Sequence, residues 1–254
     1  MNDKTISNAL FDLDNAFDVD DYLFVYQDDL TEARADSEVS TWTKLLNMKP
    51  PMKLLDLACG FGRHSNRLAA LGYDVTGVDY TPGFLAIARQ VAQKLGVRVE
   101  YQQSDMRQLD FVEQFDRVLL LFTSFGYFTD EENIRVLENM VHALKPGGKL
   151  GLDIPNRDAV VQGLPADYVI EKPDGLVINR LSFDTSTGYL NNRRIIIRDN
   201  QRKDKPHVVR LYNATEIRDM LRKIGANEIS IYGNDGQPLT LASSGMWIVA
   251  GKEG

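Results

Sequence analysis

Short apolar segments alternate with helical segments over residues 53–155, and this alternation leaves few folds open to the chain. Five of the segments predict strands: KLLDLA, YDVTGVDY, VRVEYQQSD, DRVLLLFTSF and KLGLDIP. The segments between them have helical spacing, as in TPGFLAIARQVAQKLG, which has a proline near its start and a glycine at its end. Strands that alternate with helices form right-handed crossovers. The pattern therefore predicts a parallel sheet that is covered by helices on both faces.

The pattern changes after Pro155. Residues 176–200 alternate with a period near two, which predicts an antiparallel insertion of about three strands ending near Tyr212. A helix, NATEIRDMLRKIGA, follows with Asn213 or Thr215 as its cap, and the segments ISIYG and SGMWIVAGK predict two final strands. The sheet is therefore expected to contain seven strands, with the insertion placed after the fifth.

The same reading divides the chain into three parts. Residues 1–48 form an N-terminal arm or lid followed by a helix, which Pro50-Pro51 ends. Residues 49–155 together with 213–254 form the core, and residues 156–212 form the antiparallel insertion.

The first thirty residues are acidic and contain no basic residue after Lys4. One interpretation is a solvated arm. The other is a lid, because Tyr22, Phe24 and Tyr26 supply aromatic anchors that a simple tail would not need.

Composition excludes several functions. The chain has 29 basic and 36 acidic residues, a net charge of -7, which disfavours broad contact with a phosphate backbone. The single cysteine, Cys59, cannot form an internal disulfide, and no Cys/His cluster has the spacing of metal ligands. No apolar run has transmembrane length and no signal peptide is visible. We expect a cytoplasmic protein without a membrane, nucleic-acid or metal partner.

A glycine-rich turn follows the first strand, at the edge of a parallel sheet where ligands bind. The segment DLACGFGRHS lacks the lysine of a P-loop and has Ser65 where a dinucleotide-binding turn has its third glycine. Asp56 precedes Gly60 and Gly62, and its carboxylate would repel a pyrophosphate but suit an ammonium or sulfonium ion. The turn therefore favours a positively charged ligand.

Acidic residues also follow the second and third strands. Asp79 can accept hydrogen bonds from a ribose diol, and Asp105 from an adenine amino group beside the apolar Met106. Each aspartate could instead cap the helix that follows it. Three such residues at successive strand ends make a nucleoside site the better interpretation.

The segments DLACGFG, GVD, SDM and KPGGKL resemble those of class I S-adenosylmethionine-dependent methyltransferases over roughly residues 50–155. The resemblance implies an α/β fold with a Rossmann-like, doubly wound, mostly parallel seven-stranded sheet. It also implies S-adenosylmethionine as cofactor and S-adenosylhomocysteine as product, and the layout of residues 156–212 resembles the sheet that covers the substrate in small-molecule methyltransferases. The residues expected to contact the cofactor, with two tyrosines of the lid included, are Tyr22, Tyr26, Asp56, Ala58, Gly60, Gly62, Asp79, Tyr80, Asp105, Met106 and Phe122.

Acceptor-side residues are harder to identify. The segment FTSFGYF lacks the Pro-Pro-aromatic signature of enzymes that methylate planar nitrogens, and its Tyr127 either orients the nucleophile or simply packs in the loop. In the basic insertion Arg180 and Arg210 are flanked by apolar residues and are expected to bind a carboxylate or phosphate on the acceptor. Asn156 lies at the ligand end of the sheet and is expected to join them.

The three histidines are weak candidates for a general base. His64 lies beside the glycine turn, His142 within a periodic helix, and His207 in the insertion.

The leading functional hypothesis is methyl transfer from S-adenosylmethionine to oxygen or nitrogen of a small metabolite, by a monomer or homodimer. A tRNA or protein methyltransferase is the alternative enzyme, supported by the basic insertion alone. A non-catalytic module that binds S-adenosylmethionine is the alternative of another class.

Overall fold

The computed structural model describes residues 12–254. A seven-stranded sheet has the strand order β10-β11-β5-β4-β1-β2-β3, in which β11 alone runs antiparallel to its neighbours. The predicted sheet is therefore confirmed, including its final hairpin. Its strands are β1 Lys53–Leu57, β2 Asp74–Asp79, β3 Glu100–Gln103, β4 Phe115–Leu120, β5 Leu144–Pro155, β10 Ala226–Gly233 and β11 Gly245–Lys252.

The described helices begin and end where local chemistry predicts. Pro82 opens one helix and Gly96 closes it in the left-handed conformation, while Asn213 caps another through a capping box with Glu216. The helices are α1 Leu13–Ala16, α2 Val19–Tyr26, α3 Glu32–Leu45, α4 Ser65–Ala70, α5 Pro82–Leu95, α6 Asp130–Ala143, α7 Arg157–Gln162 and α8 Ala214–Lys223, with a 3₁₀ turn at Met106–Gln108.

Apolar side chains cover both faces of the sheet. On one face α6 and α8 bury residues such as Met140 and Leu221. On the other, Trp42 of α3 stacks on Trp247 of β11 with ring centroids 4.8 Å apart. The close approach of Trp42 to β5 needs Gly151, where a Cβ atom would lie 2.8 Å from the indole. This packing holds α3 beside the carboxyl ends of the central strands.

The insertion forms a four-stranded antiparallel sheet of order β6-β7-β8-β9, one strand more than the sequence indicates. The additional strand β6 is mostly exposed, so it lacks the one-sided apolar pattern that identifies strands in a sequence. The strands are β6 Asp167–Lys172, β7 Gly175–Asp184, β8 Tyr189–Arg198 and β9 Gln201–Arg210.

The acidic N-terminal segment packs on this basic sheet over residues 12–30. Phe24 of α2 is buried against Val177 and Ile196, and Asp21 lies 2.7 Å from Lys203 and 2.8 Å from Lys205. A solvated arm therefore does not describe α1 and α2, and residues 1–11 lie outside the described part of the chain. Much of the basic character of the insertion is matched by acids of this segment and of the insertion itself.

Candidate active site

Two adjoining spaces open at the carboxyl ends of the parallel strands. We call the first the inner cavity; it is lined by the glycine turn, the ends of β1 and β2, and the loop after β4. We call the second the outer cleft; it encloses about 770 Å³ between α3, the ends of β5 and β11, and the loop at Asn234. Phe122, Ser124 and Tyr127 line both spaces, so a group bound in one can reach the other.

Two glycines shape the turn for different reasons. Gly62 has φ +78°, and a Cβ atom there would lie 2.2 Å from the Tyr101 hydroxyl, so no larger residue fits. Gly60 has φ +55° but meets nothing within 4 Å on its ligand side. Ala58, with φ 49°, completes the bend. The space beside Gly60 is therefore open, and Gly60 lines the inner cavity.

Asp56 lies at the end of β1 and is almost fully buried. The Ser65 hydroxyl donates a hydrogen bond to its carboxylate at 2.5 Å. Ser65 thus replaces the third glycine of a dinucleotide-binding turn with a side chain that positions Asp56. Burial, with Asp79 adding to it, raises the pKa of Asp56 to about 6. The carboxylate is costly to keep charged unless a cation binds beside it.

Asp79 ends β2 and organises the turn. Its two carboxylate oxygens accept hydrogen bonds from the backbone N–H groups of Gly60 and Thr81, both at 2.8 Å. Burial raises its pKa although these hydrogen bonds oppose the shift. Asp79 lines the inner cavity, and a carboxylate can accept more than two hydrogen bonds, so a ribose diol could also bind it. Tyr80 follows and is 43% exposed at the cavity mouth.

Asp105 is less available than the sequence indicates. The guanidinium of Arg107 lies 2.6 Å from one of its oxygens and, against the effect of burial, holds its pKa below the usual range. The Arg107 backbone N–H also donates to Asp105. Few lone pairs of the Asp105 carboxylate remain for an adenine amino group. Met106, which lines the inner cavity, is therefore the better candidate for the adenine contact.

A buried ion cluster that was not predicted from the sequence lies beside the inner cavity. Arg63 lies 2.6 Å from Glu38 of α3, and His64 Nε2 donates to the same carboxylate at 2.8 Å. Arg63 is 9% exposed, and its Nη2 has no hydrogen-bond partner among residues 12–254. The guanidinium therefore has unused capacity to bind an anion in the cavity. The available signal was an arginine three residues after the cavity-lining Gly60.

His64 is not suited to act as a base. Burial, with Arg63 adding to it, lowers its pKa to about 4, and its Nε2–H is committed to Glu38. Although burial favours the protonated form of Glu38, His64 and Arg63 lower the pKa of Glu38 to about 2. The cluster at neutral pH is therefore an ionised glutamate, a neutral histidine and a buried arginine.

Aromatic side chains of the N-terminal segment cover both spaces. Phe17 packs on Tyr127 with ring centroids 5.1 Å apart, Tyr22 packs on Phe84 at 5.2 Å, and Tyr26 approaches Phe122 at 6.4 Å. Tyr22 lines both spaces and Tyr26 lines the outer cleft. This arrangement fits the lid interpretation over residues 12–30.

Tyr127 lies at the junction of the two spaces, where burial and the neighbouring Tyr26 raise its pKa. Its neighbours Phe125 and Phe128 are buried in the core. The loop before it is unusual, since Phe122 and Thr123 both have φ 56°, a conformation that non-glycine residues seldom adopt. Strain of this kind concentrates at functional sites.

Asp153, at the end of β5, faces the outer cleft. It is 9% exposed and accepts a hydrogen bond from the Phe122 backbone N–H at 3.0 Å. Burial, together with the nearby charge of Glu38, raises its pKa to about 7. The sequence segment GLDIP resembles an ordinary buried strand, so nothing in it distinguished this aspartate.

The structure does not place three expected acceptor residues in either space. Arg180 is 54% exposed near Asp167, because alternation along β7 turns it away from the side on which α2 packs. Arg210 is held by ion pairs with Asp130 and Glu216. The third residue, Asn156, donates hydrogen bonds to the carbonyl oxygens of Thr240 and Ser243, and its Oδ1 accepts from the Asp158 backbone N–H at the start of α7.

Two features are absent from residues 12–254, a membrane-spanning helix and a metal-binding group of side chains. No helix within residues 12–254 combines the length and apolar character needed to cross a bilayer. No group of three or more His, Cys, Asp or Glu side chains in that range is arranged to hold a metal ion.

Comparison with known proteins agrees with this geometry. The family model described as a methyltransferase domain matches residues 54–148. The glycine/sarcosine N-methyltransferase of Aphanothece halophytica is 31% identical over 219 residues, which cover 80% of this chain and 76% of that protein.

Two solved structures share the fold. An S-adenosylmethionine-dependent methyltransferase from Clostridium acetobutylicum has a TM-score of 0.79 at 17% identity, covering 92% of this chain and 96% of that one. The sugar N-methyltransferase KedS8 from Streptoalloteichus has a TM-score of 0.71 at 21% identity, covering 93% and 94%. The glycine turn, the strand-end aspartates and these relatives together show that the chain belongs to the class I S-adenosylmethionine-dependent methyltransferases, with S-adenosylmethionine as cofactor.

Proposed function

We propose that the protein transfers the methyl group of S-adenosylmethionine to nitrogen or oxygen of a small metabolite. The observation that carries this proposal is the outer cleft, which adjoins the inner cavity and is walled by α3 and the lid. Four carboxylates and one guanidinium line it, Asp29, Glu38, Asp153, Asp235 and Arg34, a balance that disfavours a polynucleotide. The related glycine/sarcosine N-methyltransferase acts on small molecules, which supports the same class of acceptor.

The residues of the inner cavity fit the cofactor from end to end. The unpaired Nη2 of Arg63 suits the methionine carboxylate, and Asp56 suits the positive charges of the ammonium and sulfonium groups. Asp79 suits the ribose diol, and Met106 the adenine ring. Gly60 gives the backbone room to approach the ligand.

The cofactor supplies a methyl group that its sulfonium makes electrophilic, so the protein's task is alignment. Holding two reactants in line can contribute on the order of 7–11 kcal/mol to lowering the barrier in favourable systems. Phe17, Tyr22 and Tyr26 exclude water over the junction of the two spaces. Tyr127 lies at that junction, where its hydroxyl can orient the acceptor.

We expect Asp79→Asn to weaken S-adenosylhomocysteine binding by about 1–3 kcal/mol, or about 5- to 150-fold. The amide loses the charge, and its single oxygen can replace only one of the two that accept from Gly60 and Thr81 and that the ribose diol would use. Calorimetric titration measures the change. Asp74→Asn is the matched control, because Asp74 lies exposed at the other end of the same strand. Equal affinities for the two variants would contradict the ribose role of Asp79.

A transfer experiment separates the proposed function from its alternatives. The protein is incubated with methyl-labelled S-adenosylmethionine and, separately, with a metabolite fraction, with tRNA and with cellular protein. We expect label in the metabolite fraction, because the outer cleft is small and acidic. Label in tRNA or protein would instead support the alternative enzyme. Tight cofactor binding with no transfer to any fraction would support the non-catalytic module.

A further inference from the structure

Asp153 is a buried carboxylate with no ionic partner in the described part of the chain. It is 9% exposed, and its hydrogen bonds come from neutral groups, the Phe122 backbone N–H and the Trp247 side chain. A carboxylate in this setting is costly to keep ionised unless a cation reaches it. Asp153 lines the outer cleft, from which a cation can reach it.

The other charges around the cleft are already matched or exposed. Glu38 binds Arg63 and His64 and also accepts from Arg34 Nε at 2.9 Å. Arg34 lies 3.1 Å from Asp29 as well, and although its charge opposes the rise in the pKa of Asp153, it forms its ion pairs with Asp29 and Glu38. Asp235 is exposed at the rim and adds negative charge. The cleft therefore presents one deep, unmatched negative charge to whatever enters it.

The position of Asp153 relates it to the methyl group. Leu120 of β4 pairs with Leu152 of β5, so Asp153 stands beside the loop that begins at Leu121. That loop carries Phe122, which lines both spaces and holds the Asp153 carboxylate through its N–H. A group bound to Asp153 is thus placed at the passage to the inner cavity.

We propose that the acceptor is an aliphatic primary or secondary amine, which binds as its ammonium ion against Asp153 and gives its proton to that carboxylate. This inference rests on the proposed function and specifies its substrate class. A carboxylic acid would be repelled by the same charge. An alcohol carries no charge to match Asp153 and is far less acidic than an ammonium ion, whose pKa resembles the ~10 of a lysine side chain.

In the methyl transfer, the ammonium nitrogen passes one proton to Asp153, and the freed lone pair forms a bond to the methyl carbon. The carbon–sulfur bond breaks and its electron pair stays on sulfur, which becomes neutral. The product leaves as a methylated ammonium ion, and Asp153 returns its proton to water through the cleft. Burial and Glu38 raise the pKa of Asp153 to about 7, which suits uptake and release of a proton near neutral pH.

Paired acceptors test the inference on the full-length protein. The pairs are glucosamine and glucose, ethanolamine and ethylene glycol, and putrescine and butanediol. We expect transfer to an amine and not to its hydroxyl partner. Asp153→Asn preserves the shape and an acceptor for the Phe122 N–H, yet we expect it to lower kcat/KM by about 100-fold or more while S-adenosylhomocysteine affinity stays within about twofold. Asp110→Asn is the matched control, since Asp110 is exposed and lines neither space.

The outcomes separate this inference from the proposed function. Transfer to hydroxyl members, or amine turnover by Asp153→Asn within about threefold of wild type, would overturn the amine assignment and leave the proposed function intact. Binding of S-adenosylhomocysteine without transfer to either series would overturn both.

Discussion

Glu38→Gln is expected to lower the free energy of unfolding of the ligand-free protein by about 3–5 kcal/mol, the usual result of leaving a buried charge without its partner. Glu38 is the ionic partner of Arg63, which is 9% exposed and has an unpaired Nη2 in the described structure. Glutamine can still accept from His64, so the loss isolates the charge. Denaturant unfolding at neutral pH measures the change, and saturating S-adenosylhomocysteine should recover part of it by supplying a carboxylate to Arg63.

Asp36→Asn is the matched control for this prediction. Asp36 lies on the same helix and contacts Arg67 at 2.6 Å, but it is 69% exposed. Exposed ion pairs contribute about 0–1 kcal/mol, so this variant should remain close to wild type. If Glu38→Gln were no less stable than Asp36→Asn, the claim that buried Arg63 needs the charge of Glu38 for stability would be wrong.

Asp56→Asn is expected to stabilise the ligand-free protein by about 2–3 kcal/mol above about pH 6, at about 1.4 kcal/mol for each unit of pKa. Burial raises the pKa of Asp56 from 3.8 to about 6. Between these values the folded protein retains a proton that the unfolded chain has released. The free energy of unfolding therefore falls as pH rises through this interval and then levels off. The amide cannot ionise, so the variant should lose this part of the pH dependence.

Unfolding of wild type and variant across about pH 4 to 8 measures the difference, with exposed Asp110→Asn again as control. Parallel curves for wild type and Asp56→Asn would show that ionisation of Asp56 is not opposed by the fold. The same variant should bind S-adenosylmethionine more weakly, because it removes the charge that suits the sulfonium. Residues that bind a ligand commonly lower the stability of the ligand-free protein in this way.

The fold was predictable because its signals are local. Apolar runs, the entry at Pro82 and the stop at Gly96 each act within one element, and their order restricts the topology. Strand β6 escaped prediction because its side chains are mostly exposed, so no core face marks it in the sequence.

The site was predictable only in part, for a physical reason. Asp56, Asp79 and the glycines follow strands directly, so topology alone brings them to one edge of the sheet. Arg63 depends on Glu38, which lies 25 positions earlier in the chain, and Asp153 depends on a cleft built by α3 and β11. Side-chain contacts formed by tertiary packing produce no periodic pattern in the sequence.

The misplaced residues show the same limit. Arg180 and Arg210 were selected by charge and apolar neighbours, but strand alternation exposes the first and ion pairs occupy the second. Asn156 does lie at the ligand end of the sheet, yet its amide is used by the loop at Thr240. The position of a residue along a strand does not determine which groups its side chain contacts.

A crystal structure with bound S-adenosylhomocysteine tests the central claim most directly. We predict the ribose on Asp79, the methionine carboxylate on Arg63, and the sulfur turned toward the outer cleft that Asp153 lines. A ligand whose sulfur faces away from that cleft, or whose carboxylate avoids Arg63, would contradict the assignment of the two spaces.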